Sequence, residues 1–113
     1  MTNTDWDALP DTVRTLMTAL DARDVDRALA TLTTDAVVVD EGHDYTGRDD
    51  IGSWIATAAS EYTYTTAFAG ATTTDAGVDV GQHLEGDFPG GVADLHYRFT
   101  LDGALISRLV IEP

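Results

Sequence analysis

Apolar positions recur at spacings of three, four and seven through the first half of the chain, and at every second residue through much of the rest. Over residues 6–20, Trp6, Leu9, Val13, Leu16, Met17 and Leu20 share one face of a helix. Pro10 is tolerated only in a first turn, so the regular helix is expected to begin near it. Asp21-Ala22-Arg23 reads as a short link. Asp24 is suited to N-cap a second helix with Val25, Ala28, Leu29 and Leu32 inward, ended by Thr33-Thr34-Asp35.

Residues 35–55 organise the rest of the chain. Val37-Val38-Val39 favours a buried strand that ends on a carboxylate, Asp40. Glu41-Gly42-His43-Asp44 reads as a turn, and Tyr45-Thr46 as a short second strand. Gly47-Arg48-Asp49-Asp50 opens a third helix whose apolar face is Ile51, Trp54, Ile55 and Ala58. Asp49 and Asp50 fall in its first turn, where the helix dipole favours negative charge.

Beyond Ser60 the texture alternates. Residues 62–66 are rich in strand formers, and Gly70 and Asp75-Ala76-Gly77 bracket a break. Val78, Val80, Gln82, Leu84 and Phe88 take one face of the next strand; Asp79, Gly81, His83, Glu85 and Asp87 take the other. After the Pro89-Gly90-Gly91 turn, Leu95, Tyr97, Phe99 and Leu101 alternate with His96, Arg98 and Thr100, a half-buried strand. Asp102-Gly103 marks a hairpin into a last strand over residues 105–111. Helices first and strands after predict an α+β fold: three N-terminal helices packed on a strongly curved, mostly antiparallel sheet, leaving a conical hollow of the kind that takes ligands. At this length residues 1–113 are expected to form one domain.

Composition narrows the partners. Twenty acidic residues face six basic ones, for a formal net charge of −14, which argues against nucleic acid and anionic membrane as partners. There is no Cys, hence no disulfide, thiolate metal site or cysteine nucleophile. The N-terminal residues lack the basic and apolar segments of a secretory signal, and no apolar run approaches a membrane span, so a cytoplasmic protein is expected. Every basic residue is Arg, Lys is absent and Asp greatly outnumbers Glu, a pattern that fits a salt-adapted surface or a GC-rich coding bias. Salt screens self-repulsion in the first case. A salt-adapted surface predicts a melting temperature that rises between low and molar KCl, and a flat one leaves coding bias as the explanation.

In element order the chain resembles the nuclear transport factor 2-like superfamily, in the branch of SnoaL-like polyketide cyclases and ketosteroid isomerases. The residues that carry this are Ala19-Leu20-Asp21-Ala22-Arg23-Asp24-Val25-Asp26, Thr34-Asp35-Ala36-Val37-Val38-Val39-Asp40, Gly47-Arg48-Asp49-Asp50-Ile51, His96-Tyr97-Arg98-Phe99 and Asp102-Gly103-Ala104-Leu105-Ile106. The resemblance implies an NTF2-like cone and a carboxylate base at the end of the first strand, the position of Asp40. It also implies enolate-holding donors at the positions of Leu16 and Leu95, and neither leucine can donate. Losing one such donor typically slows an enzyme roughly 100- to 1,000-fold, so ketosteroid isomerase activity is not expected.

Asp40 is therefore the candidate base, with His43 and Tyr45 as candidate proton donors at the mouth of the hollow. Leu16, Trp54, Tyr62, Tyr64, Gln82, Leu95, Tyr97 and Phe99 are the candidate ligand-lining residues, and Gln82 stands out as a polar group in an apolar column. His83 and His96 form a second group. If Leu84 faces Leu95, then His83 pairs with His96 and Glu85 with Asp94 on the outer sheet face. Such a set carries donor types that suit a divalent metal, yet a homodimer contact or a plain solvated face accounts for it better, and no metal or cofactor is assigned. Three functions remain open: a cofactor-free isomerase, lyase or cyclase acting on a small apolar carbonyl compound, a homodimeric binder of a small hydrophobic ligand, and an interaction domain whose hollow is filled by its own side chains.

Overall fold

The computed structural model describes residues 2–58 and 63–113. In chain order these form β1 (Thr2–Thr4), a 3-10 turn (Trp6–Ala8), α1 (Asp11–Ala22), α2 (Val25–Leu29), β2 (Leu32–Asp40), β3 (His43–Thr46), α3 (Gly47–Ala58), β4 (Tyr64–Thr73), β5 (Gly77–Gly86), β6 (Val92–Asp102) and β7 (Leu105–Glu112). The strands make one sheet in the order β1-β4-β5-β6-β7-β2-β3. Neighbours are antiparallel except β2 and β7, which run parallel. The expected α+β architecture is thus present, with α1, α2 and α3 on the inner face.

The local departures have physical causes. Pro10 divides the helix expected over residues 6–20: Trp6–Ala8 forms the 3-10 turn, and Pro10 sits at the N-cap of α1. Then α1 runs through the expected link to Ala22. It stops only where Arg23 adopts the left-handed conformation (φ 56) and returns its N–H to the last turn. Asp24 caps α2 as expected, its carboxylate accepting the Arg27 N–H. Leu32 is not part of α2. The Thr31 hydroxyl bonds the Ala28 carbonyl at 2.7 Å, and the chain leaves the helix there. Leu32-Thr33-Thr34-Asp35 joins β2, where β-branched residues fit.

The turn after β2 is tighter than expected. Glu41 (φ 52) and Gly42 (φ 76) alone make a two-residue hairpin, so His43 and Asp44 belong to β3. Gly70 is no break either; it lies at a β-bulge inside β4, with φ 132. The edge strand β1 was not expected, because Thr2-Asn3-Thr4 carries no apolar alternation. The core lies between helices and sheet. Val13 and Leu16 of α1, Ile51 of α3, Val38 of β2, Val80 of β5 and Leu109 of β7 are all at most 1% exposed.

Candidate active site

Asp40 ends β2 on the face that looks toward the helices. The pleat gives it Ala36 and Val38 as inner neighbours, both buried, while Val37 and Val39 turn to the outer face. After the hairpin, α3 packs back across β2 and brings Trp54 over the strand end. The Trp54 indole Nε1–H donates to Asp40 Oδ2 at 3.0 Å. This bond holds one carboxylate oxygen against the indole. The Tyr45 ring lies 6.0 Å from that of Trp54, tilted against it. His43 is directly opposite Asp40 across the hairpin, and it is exposed.

Strand register places a second polar group in the same row. Asp40 pairs with Ile111 of β7, and Ile111 pairs with Tyr97 of β6. Tyr97 and Asp40 are thus on one face, two strand spacings or about 10 Å apart at Cα. One row outward, Leu95 faces Gln82, which faces Phe68. Gln82 lies beside the Tyr97 phenol, close enough to act on its titration. Gln82 and Tyr97 are almost fully enclosed, whereas Tyr64 and Phe68, further out on the same face, are each 36% exposed. The inner face opens at that end.

Charges in this region reinforce one another. Burial pushes the Tyr97 phenol well above its ordinary value, and nearby Tyr64, Asp40 and Asp21 add to the effect while Gln82 opposes it. Burial also raises Tyr64, helped by Asp21 and Asp40 and opposed by Arg23. The Asp21 carboxyl is raised by partial burial, against a hydrogen bond from the Thr66 hydroxyl. Both phenols therefore stay protonated and remain hydrogen-bond donors across the physiological range.

The structure brings together Asp40, Trp54, Tyr45, Tyr97 and Gln82, with Tyr64 and Leu95 outward of them. Leu16 and Phe99 lie one layer deeper, in the closed core. Tyr62 falls outside the described residues, as does the side chain of Ala58. Asp21 and Thr66 were missed. Asp21 was read as a link, although its spacing of four from Met17 puts it on the inner face of α1. Two open depressions lie elsewhere and neither contains Asp40. One of about 470 Å³ is lined by Ala69, Gly70, Asp79, Gly81 and His96, among others. The other, about 500 Å³, lies along α1 and includes Trp6, Arg14, Thr18 and Arg27.

Residues 13–106 match the model of the SnoaL-like domain. The chain belongs to the SnoaL-like family. Among curated proteins nothing matches it. Among solved structures, this SnoaL-like domain is similar to a proposed polyketide cyclase from Sinorhizobium meliloti, at 31% identity and TM-score 0.89 over 96% of this chain and 100% of that one. A Catenulispora acidiphila protein of ketosteroid isomerase-like fold, in complex with trimethylamine, aligns at 17% identity and TM-score 0.80 over 93% of this chain and 86% of that one. RV0760c from Mycobacterium tuberculosis, in complex with estradiol-17beta-hemisuccinate, aligns at 14% identity and TM-score 0.73 over 90% of each chain. The last two likenesses establish the shared NTF2-like cone and nothing finer. Among the described residues, no helix is long and apolar enough to cross a membrane.

The outer face of this SnoaL-like sheet corrects one expectation. Leu84 pairs with Ala93, not Leu95, so the register sets His83 opposite Asp94 and His96 opposite Gly81. The Pro89-Gly90-Gly91 turn is shorter in effect than the pattern suggested, because β6 already begins at Val92. His83 Nδ1 lies 2.7 Å from Asp94 and its Nε2 3.2 Å from Glu85; His96 Nδ1 lies 2.8 Å from Asp79. Arg98 bonds both Asp79 and Glu112. The histidines serve separate ion pairs, and among the described residues no His, Cys, Asp or Glu group is arranged to hold a metal. The Asp94 and Glu85 hydrogen bonds raise the His83 pKa. Protonated His83 thus contributes to stability below the ordinary imidazole range, and the contribution is lost as pH rises through the raised folded-state value. A ring-proton NMR titration is expected to give His83 a midpoint above that of the same residue in an Asp94→Asn variant; equal midpoints contradict the pairing.

Proposed function

We propose that this domain takes a small apolar carbonyl compound against the inner face beside Trp54 and Tyr97, and moves a proton on it without a cofactor. Its class is isomerase, lyase or cyclase, and Asp40 is the base. The observation that supports this best is the Trp54–Asp40 hydrogen bond at 3.0 Å, which aims a carboxylate along the face it shares with the Tyr97 phenol. His43 and Tyr45, across and beside the strand end, are the candidate donors at the mouth. Steroid isomerase chemistry of the usual kind is not part of the proposal, since Leu16 and Leu95 occupy the places of its donors.

A second reading is a non-catalytic binder acting as a homodimer. It draws support from the relatives of the same fold that carry estradiol-17beta-hemisuccinate and trimethylamine. The outer face, with acids and bases interleaved at His83, Glu85, Asp94, Asp79, His96 and Arg98, is then the pairing surface. Native mass spectrometry with a series of small ketones tests the shared premise. One ketone bound per chain, lost on Trp54→Ala but kept in Asp40→Asn, supports the site. No ketone bound at millimolar concentration removes it and leaves an interaction domain with a filled hollow.

A further inference from the structure

A chain with six basic residues and a net charge of −14 brings two of its arginines to one depression, away from Asp40. Asp11, Arg14, Thr15 and Thr18 recur at spacings of three and four and so share one face of α1, opposite the buried Val13, Leu16 and Met17. Arg27 of α2 and Trp6 of the 3-10 turn line the same depression, of about 500 Å³. Its donors are largely unspent. Arg14 pairs with Asp11 through Nη2, but its Nε is buried with no hydrogen-bond partner. A buried guanidinium N–H without an acceptor is costly, so this group favours an incoming anion. Among the described residues the Arg27 guanidinium enters no ion pair, and only its backbone N–H is engaged, by Asp24. Trp6 is half-buried, with its ring centred 5.7 Å from that of Phe68, and adds an apolar wall.

We propose that this depression binds a small monocarboxylic acid with a flat ring, its carboxylate held between Arg14 and Arg27 and its ring against Trp6. A guanidinium presents N–H groups in a planar fork that matches the two oxygens of a carboxylate. Two arginines against one aspartate leave the lining with a single positive charge, which one carboxylate neutralises. A doubly charged phosphate overshoots that balance beside a chain already strongly negative. The volume falls within the range of small-molecule sites, roughly 300 to 1,000 Å³. Thr15 and Thr18 add hydroxyl donors along the same helix face. The site lies on the far side of α1 from Leu16 and the core, so its occupancy is separate from any chemistry at Asp40.

Heteronuclear NMR of the indole N–H groups of Trp6 and Trp54 tests this, with sodium benzoate as the probe and benzamide as its uncharged counterpart. Benzoate at millimolar concentration is expected to move the Trp6 signal saturably and leave the Trp54 signal in place; benzamide should move neither. Arg27 is exposed, so Arg27→Gln is expected to fold, which an unchanged Trp54 signal verifies. It should bind benzoate about tenfold more weakly or worse, the loss of one charge-assisted contact. Arg108→Gln removes the same charge from an exposed site on β7 and should leave the affinity as it was. Four results overturn the site: no movement of the Trp6 signal, movement of the Trp54 signal instead, equal movement with benzamide, or an affinity that Arg27→Gln and Arg108→Gln change alike.

Discussion

Replacing Asp40 by Asn is expected to slow proton abstraction from a bound ketone by about 100- to 10,000-fold, the range attributed to a positioned general base. The substitution isolates the chemistry. An asparagine carbonyl accepts the Trp54 indole N–H as the carboxylate does, so the 3.0 Å contact and the packing of α3 on β2 are retained. What disappears is the capacity to take a proton. Affinity for the ketone should change by less than tenfold, and melting temperature should stay within a few degrees, since Asp40 is only half-buried at the strand end. Steady-state kinetics with wild type and variant, read as separate changes in kcat and KM, check this. A fall in KM-linked binding with kcat preserved indicates a binding role for Asp40 and removes it as base.

Leu16→Ala is expected to give the largest loss of stability, about 2 to 5 kcal/mol. Leu16 is 1% exposed and packs in the centre of the helix–sheet interface, where α1 faces the sheet. Removing its branched end leaves a cavity that α1, tied at Pro10 and closed at Arg23, has little freedom to fill. A fall of about 10 °C or more in Tm is expected at this chain length. Thr18→Ala, on the exposed side of the same helix, is the control and should change stability by no more than about 0.5 kcal/mol. Calorimetry of both variants separates the two roles open to Leu16. A small loss of stability with a large loss of ketone binding makes it a ligand contact; the reverse makes it core.

The fold was legible because hydrophobic periodicity reports burial directly. Val13, Leu16 and Met17 on α1, Ile51, Trp54 and Ile55 on α3, Val78, Val80, Gln82 and Leu84 on β5, and Tyr97 and Phe99 on β6 are buried as their spacing requires, with Leu95 and Leu101 partly so. Element ends were less legible, because they depend on single backbone conformations: Arg23 and Glu41 at positive φ are invisible to a pattern of apolar positions. Register was the weakest point. A two-residue slip keeps every inner residue inside, so the hydrophobic pattern could not tell a Leu84–Leu95 pairing from the observed Leu84–Ala93 one. That slip moved His83 from His96 to Asp94 and dissolved the suspected pair.

The site was legible in part for a related reason. Asp40 and Trp54 come from one local unit, strand, hairpin and helix, and each stood out from its own spacing, though not their hydrogen bond. The approach of Asp21 to Thr66, from α1 to β4, joins segments 45 residues apart and needs the closed cone. The row of Asp40, Ile111 and Tyr97 depends on the parallel pairing of β2 with β7, which no turn in the sequence announces.

The most direct test is deuterium exchange at the α-carbon of 2-tetralone in D2O, followed by proton NMR. Wild-type protein is expected to speed the loss of the α-proton signal at least 100-fold over Asp40→Asn at equal concentration, a ratio on the order of the lower bound for a positioned base. Exchange no faster with the wild-type protein than with the variant or with buffer contradicts the assignment of Asp40 as a base.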